Sequence, residues 1–206
     1  MNTTVEYIIK KYNINSTSDS PIFLPDTRKN LPKLFNELGY KTGAEIGVLE
    51  GEFSKIFCED IPGVTLYCID PWEIYEDLPE NEKGGNNRGR INRGYERTKS
   101  LLGAYSCNIV KKYSMDAVKD FTRGSLDFVY IDANHTFDYV MRDIIEWSKI
   151  VRPGGIVSGH DYQAYHHEEI GYQVRSAIDV YTNVHNIKLI FVFNGDYCTS
   201  WFFVKN

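Results

Sequence analysis

The sequence predicts an α/β protein, with a mostly parallel sheet covered by helices on both faces and an antiparallel pair at its end. Two observations carry that expectation. Short β-rich runs alternate with helix-length segments from residue 43 to residue 204, and such alternation implies parallel strands joined by crossover helices. Asn194-Gly195-Asp196 separates the last two runs, and that turn chemistry favours a hairpin.

The elements follow in order. Residues 4–12 read as a short helix, and residues 13–29 as a polar loop with Pro21 and Pro25. Asn30 can cap a helix with Pro32 in its first turn and Gly39 just past its end. Leu31, Leu34, Phe35 and Leu38 then share one face. A strand is expected at 43–48, a helix at 52–59 and a strand at 64–70. Residues 73–100 are polar, bear Gly and Arg, and are too long for an ordinary connection. They are expected to form a lid-like insertion closed by a helix at 91–103. Strand 107–112, helix 115–121, strand 126–132, helix 136–150, strand 155–159, helix 168–182, strand 187–193 and strand 198–204 complete the reading. The organisation is an N-terminal helix and loop at 1–29 and a main domain at 30–206.

A chain of 206 residues is most simply one domain, and its 42% hydrophobic and 14% aromatic content suffices for a full core. A net charge of −5 argues against holding long nucleic acid by its phosphates. Cys58, Cys68, Cys107 and Cys198 are widely spaced with no C-x-x-C, which reads as reduced thiols in a cytoplasmic protein and not a disulfide frame. No apolar stretch approaches the roughly 20 residues of a membrane helix. The N-terminus shows no signal peptide. The composition is compatible with a homo-oligomer.

The stretch from Ala44 to Ser54 is the end of a buried strand, a glycine turn and the start of a helix. Gly47 and Gly51 let the backbone bend and let a ligand lie against bare main chain. The helix that follows presents unpaired N–H groups. A dinucleotide fold uses a second glycine here to admit a pyrophosphate. Leu49 holds that place in this chain, and Glu45 and Glu50 crowd the loop. A cationic or zwitterionic nucleoside fits this charge pattern better than a double anion. Asp70 ends the next β-rich run. An acid there either accepts hydrogen bonds from ribose hydroxyls or caps the turn before Pro71. Trp72 follows it and can lie against a nucleoside's base or sugar.

Ligands of open parallel sheets bind outside the carboxyl ends of the strands. Asp132, Asn134 and His135 stand at the end of one predicted strand, and His160 and Asp161 at the end of the next. Four of the five histidines, His135, His160, His166 and His167, lie near these two ends. Asp132, His160 and Asp161 suit a divalent ion that lowers the pKa of a substrate hydroxyl. His160 or His135 can instead act as a metal-free general base titrating near 6.5. A loop cap formed by His160 and Asp161 is the third reading. His166 and His167 read as exposed loop, and His185 takes no role. Trp147 sits with Val140, Ile144 and Val151 on an amphipathic helix and reads as packing. Arg88, Arg90 and Arg93 read as a solvated loop in preference to an anion clamp.

Taken together, Glu45-Ile46-Gly47-x-x-x-Gly51-x-Phe53-Ser54, Asp70-Pro71-Trp72, Ile131-Asp132-x-x-His135-x-x-x-x-Val140, Asp143-x-x-x-Trp147 and Arg152-Pro153-Gly154-Gly155-x-x-x-Gly159-His160-Asp161-Tyr162 resemble class I S-adenosylmethionine-dependent methyltransferases. The branch resembled is methyltransferase family 24, related to macrocin-type sugar O-methyltransferases and more distantly to catechol O-methyltransferase. The likeness covers residues 30–204. It implies a Rossmann-like seven-stranded sheet with an antiparallel last strand. It also implies S-adenosylmethionine as cofactor and methyl transfer to a hydroxyl of a small molecule, sugars included. By resemblance, Glu45, Gly47 and Gly51 line the methionine end of the cofactor, with Ser54 from the same motif. Asp70 binds ribose beside Trp72, Ser114 and Met115 border adenine, and Asp132 lies between cofactor and acceptor. Metal-dependent relatives place three acidic or amide ligands at Asp132, His160 and Asp161. An imidazole at the middle position points away from Mg²⁺, toward a softer ion or none. The competing reading is a binding protein of the same fold without transfer. The set Asp132, His135, His160 and Asp161 argues for the enzyme.

Overall fold

The computed structural model describes residues 3–15, 20–74, 86–163 and 168–206. The chain opens with α1 (Thr3–Lys11), β1 (Ile22–Leu24) and a 3-10 turn (Arg28–Asn30). It continues through α2 (Leu31–Glu37), β2 (Thr42–Ile46), α3 (Glu52–Asp60) and β3 (Thr65–Asp70). Next come α4 (Asn86–Leu102), β4 (Cys107–Lys111), the short α5 (Ser114–Ala117), β5 (Leu126–Ile131) and α6 (Phe137–Ile150). β6 (Val151–Gly159), α7 (Glu168–Val184), β7 (Phe191–Phe193) and β8 (Ser200–Val204) complete it.

The described strands form one sheet in the order β1-β7-β8-β6-β5-β2-β3-β4. β8 runs antiparallel to both β6 and β7, and every other pairing is parallel. Successive residues of a strand face opposite sides, and β5 shows how this builds two cores. Phe128 and Tyr130 point to the side of α2 and α3, where Phe128 meets Phe35 at 4.6 Å and Phe57 at 5.2 Å between ring centroids. Val129 and Ile131 point the other way, into a cluster with Ile144 and Trp147 of α6 and Ile178 of α7. A strand buried on both faces must read as a continuous apolar run, as Phe128–Ile131 does.

Eight strands are present among the described residues, where seven were expected. The additional one is β1, which pairs in parallel with β7 through Ile22↔Phe191 and Leu24↔Phe193. Ile22 and Leu24 are buried while Phe23 is exposed. Three residues give too short an alternation to register as a period, and the flanking prolines suggested a loop. Prolines are tolerated at the margins of an edge strand. α1 also joins the main body, because Thr4 Oγ1 donates to Gly154 O at 2.8 Å. Asn30 stands at the start of α2 but makes no side-chain cap. The preceding 3-10 turn already holds it in a helical conformation, and its Nδ2 donates to Asp26 Oδ1 at 2.6 Å instead. No helix among the described residues is long and apolar enough to cross a membrane.

Candidate active site

The site begins where β2 ends. Gly47 has φ +90°, and a Cβ there would lie 2.1 Å from the backbone oxygen of Asp132. The tips of β2 and β5 therefore touch through bare main chain, which only glycine permits. Asp132 N donates to Ile46 O at 2.8 Å and fixes the same contact. Beyond Gly47 the loop passes through Leu49, itself left-handed at φ +52°, and enters α3 after Gly51.

Asp70 at the tip of β3 holds this loop. Its Oδ2 accepts the N–H groups of Val48 and Leu49, each at 2.9 Å, and its Oδ1 accepts that of Trp72 at 2.6 Å. A carboxylate offers about four acceptor sites, so one remains toward the cleft that Asp70 lines. Burial raises its pKa against these three backbone donors. Trp72 turns its indole inward, donating Nε1–H to Leu49 O at 2.7 Å and resting 4.9 Å from the Tyr95 ring.

Residues 75–85, the middle of the expected insertion, lie outside the described residues. α4 packs on the glycine loop. Gly94 makes this possible, because a Cβ there would sit 2.4 Å from Leu49 O. Arg90 and Arg97 reach Glu50 at 3.2 and 3.6 Å, and Arg97 reaches Glu52 at 2.8 Å. Such exposed pairs contribute little stability, but they offset the acidic charge beside the turn. The side chain of Arg88 and all of His166 and His167 are outside the described residues.

The resulting cleft has a volume of about 350 Å³ and is lined by Arg28, Glu45, Gly47, Asp70, Asp132 and His135 among others. Glu45 is 2% exposed. Burial pushes its carboxyl up to about 8, against the hydrogen bond donated by Ser54 and with help from Asp132. Ser54 is fully buried and acts on the cleft through Glu45.

At the far side of Gly47 stand two histidines and two aspartates. His135 Nε2 lies 3.0 Å from Asp161 Oδ2 and 3.4 Å from Asp132 Oδ1. His160 Nδ1 lies 3.1 Å from Asp161 Oδ1 and 4.0 Å from Asp132 Oδ1. Burial works against each imidazolium, but the carboxylates outweigh it and raise His135 to about 10 and His160 above the usual range. Burial would likewise raise Asp161, yet the two imidazoles hold it well below ordinary carboxylates. Asp161 adopts φ +59°, a strained conformation for a residue with a Cβ. The β6 tip is held in place as His160 N donates to Ile131 O and Trp201 Nε1 donates to His160 O, both at 3.1 Å.

Ser114 and Met115 stand apart from the residues lining the cleft. Ser114 donates to Asp143 and accepts from Trp147 Nε1 at 2.8 Å, which fastens α5 to α6. The Asp143-x-x-x-Trp147 motif is thus an internal clasp, and burial pushes the Asp143 carboxyl up to about 7. His185 rests against Tyr181 with rings 4.3 Å apart.

Sequence reasoning missed Arg28. Its guanidinium lies 5.2 Å from the centre of the Phe53 ring and 3.5 Å from Asp132 Oδ2. Its own N–H donates to Asp196 Oδ2 at 2.7 Å, so the β7–β8 hairpin sets its position. No local pattern announces this, because its contacts with Asp132 and Asp196 join residues 104 and 168 positions apart.

The profile of methyltransferase family 24, described as a methyltransferase domain, matches residues 44–162. That span runs from β2 through Tyr162, more than half the chain. The chain belongs to this methyltransferase family. No curated protein matches its sequence. Among solved structures it is similar to an O-methyltransferase from Bacillus cereus in complex with S-adenosylhomocysteine, at TM-score 0.60 and 14% identity over 100% of this chain and 92% of that one. It is similar to the O-methyltransferase TomG from Streptomyces achromogenes in complex with S-adenosylmethionine, at TM-score 0.59 and 14% identity over 99% and 89%. It also resembles spermidine synthase from Thermotoga maritima, at TM-score 0.54 and 12% identity over 87% and 58%. These likenesses show the fold of this methyltransferase. Its acceptor has to be argued from its own residues, since one fold serves several chemistries.

Proposed function

We propose that this methyltransferase binds S-adenosylmethionine in the cleft between the Gly47 loop and Asp70 and transfers the methyl group to a hydroxyl of a small molecule, sugars included. The observation that carries the reading is the convergence of Asp132, His135, His160 and Asp161 beside Gly47. The sulfonium already makes the methyl electrophilic. The protein has to align the acceptor and remove its proton. Glu45 at the floor of the cleft complements the cofactor's positive charge, and the last acceptor site of Asp70 is available to a ribose hydroxyl. The bound nucleosides of the two O-methyltransferase structures support the cofactor assignment.

Asp132, His135 and Asp161 each present a ligand atom within 4.8 Å of the others. Mixed carboxylate and imidazole donors fit Mn²⁺ or Fe²⁺ better than Mg²⁺. Such an ion, when bound, would lower the pKa of the acceptor hydroxyl. The proton itself passes to His135 or His160 in the fraction of molecules whose ring is neutral, a fraction that grows with pH. Because the carboxylates hold both rings protonated, a pH limb at the ordinary imidazole value near 6.5 is not expected. A nucleoside-binding protein without transfer would have no use for the strained Asp161 that holds both rings. Methyl transfer to a panel of sugars and phenols, with and without chelator, tests the reading. Transfer to none of them in a chain that binds the cofactor would favour the binding protein.

The Glu45 carboxyl gives the cofactor step a signed pH dependence. It is neutral below about 8 in the free protein. A cation bound beside it favours the carboxylate, so binding at pH 7 should release about one proton. Affinity should rise with pH up to about 8 and then level off. Calorimetry in buffers of different ionisation enthalpy reads that proton, and Glu45→Gln should abolish its release. By the same linkage, the ligand-free fold should lose stability as pH rises from about 4.3 toward 8, because the unfolded chain gives up this proton first.

A further inference from the structure

We propose that Cys58 of α3 and Cys107 of β4 form a dithiol that hydroperoxides oxidise to a disulfide. Their sulfurs lie 3.1 Å apart, and closing to the roughly 2.05 Å of a bond needs only a small movement of the side chains. Both residues are partly exposed, so an oxidant reaches them. The other two cysteines are set apart by their surroundings. Cys68 is fully buried. Cys198 lies by Asp161, and burial together with that carboxylate keeps its thiol up at about 11.

The neighbours of Cys107 make it the attacking sulfur. The contact with the Cys58 sulfur and the neighbouring Cys68 thiol hold Cys107 below the ordinary thiol range and the other two above it. Thiolate character and access together decide which cysteine reacts. The Cys107 thiolate attacks one oxygen of hydrogen peroxide, the O–O bond breaks, and hydroxide leaves to give a sulfenic acid. The hydroxide takes the proton of Cys58 and becomes water. The Cys58 sulfur then attacks the Cys107 sulfur, the S–O bond breaks, and the departing oxygen leaves as a second water once protonated. Two thiols have supplied two electrons to one peroxide.

The bond joins the C-terminal half of α3 to the first residue of β4, at the end of the sheet away from the cleft. It closes a ring of chain between positions 49 apart, which contains β3, Asp70 and α4. Closing a ring of this size restricts the unfolded chain, so the oxidised protein should melt about 8 °C higher than the reduced one. In a reducing compartment such a bond would be transient.

The test is peroxide treatment of the purified chain, followed by peptide mapping without reduction. The expected product has lost two hydrogens in mass, contains a Cys58–Cys107 cross-link, and reverts with dithiothreitol along with its melting temperature. Cys107→Ser should abolish the product, and Cys58→Ser should leave Cys107 to collect oxygens. Oxygen adducts on wild-type Cys107 without a cross-link would overturn the proposal. So would a cross-link that survives in Cys58→Ser through Cys68.

Discussion

Gly47→Ala is expected to abolish cofactor binding and to destabilise the fold by about 3 kcal/mol. Two effects add. Alanine at φ +90° is strained wherever it stands. Its Cβ would also meet the oxygen and carbon of Asp132 at 2.1 and 2.5 Å and the Cα of Ala133 at 2.7 Å. All three are backbone atoms at the tip of β5, so no side chain can swing away. The tips of β2 and β5 must part, and Asp132 moves with them. Urea unfolding should show the lost stability, and calorimetry should show no heat with S-adenosylmethionine. A variant that binds as the wild type does would mean that the loop is not the nucleoside seat.

The second large effect is expected at Asp161. Asp161→Asn should lower turnover by about a hundredfold to ten-thousandfold, the usual range for a lost acid–base arrangement. Cofactor affinity should stay nearly constant. Asparagine keeps the shape and tolerates the φ of +59°, so the fold should survive. What it removes is the carboxylate that orients both rings, His135 at 3.0 Å and His160 at 3.1 Å, and the cost of misplacing them outweighs the larger neutral fraction that follows the lost charge. The measurement is steady-state methyl transfer to an acceptor found with the panel. Full turnover in this variant would reduce the cluster to a loop cap.

The central strands and the last hairpin were legible because their patterns are local. Phe128–Ile131 is an unbroken apolar run, and Asn194-Gly195-Asp196 is a turn by its chemistry alone. Gly47 was legible as a close approach, though not what approaches it. β1 was not, since a three-residue edge strand has no period to read. Arg28 was not, because Asp132 and Phe53 join it only in the fold. The environment of the histidines also had to be seen. From sequence their pKa stands near 6.5, whereas carboxylates on both sides raise His135 to about 10. Ser114 was named only through the family resemblance, and its hydroxyl bonds to Asp143 and Trp147 had to be seen in the fold.

The most direct test of the account is calorimetric titration of the wild-type chain with S-adenosylmethionine and, separately, with NAD. The Leu49 obstruction and the acids Glu45 and Asp70 predict micromolar binding of the sulfonium nucleoside at one site and no binding of the dinucleotide. Binding of NAD without binding of S-adenosylmethionine would contradict it.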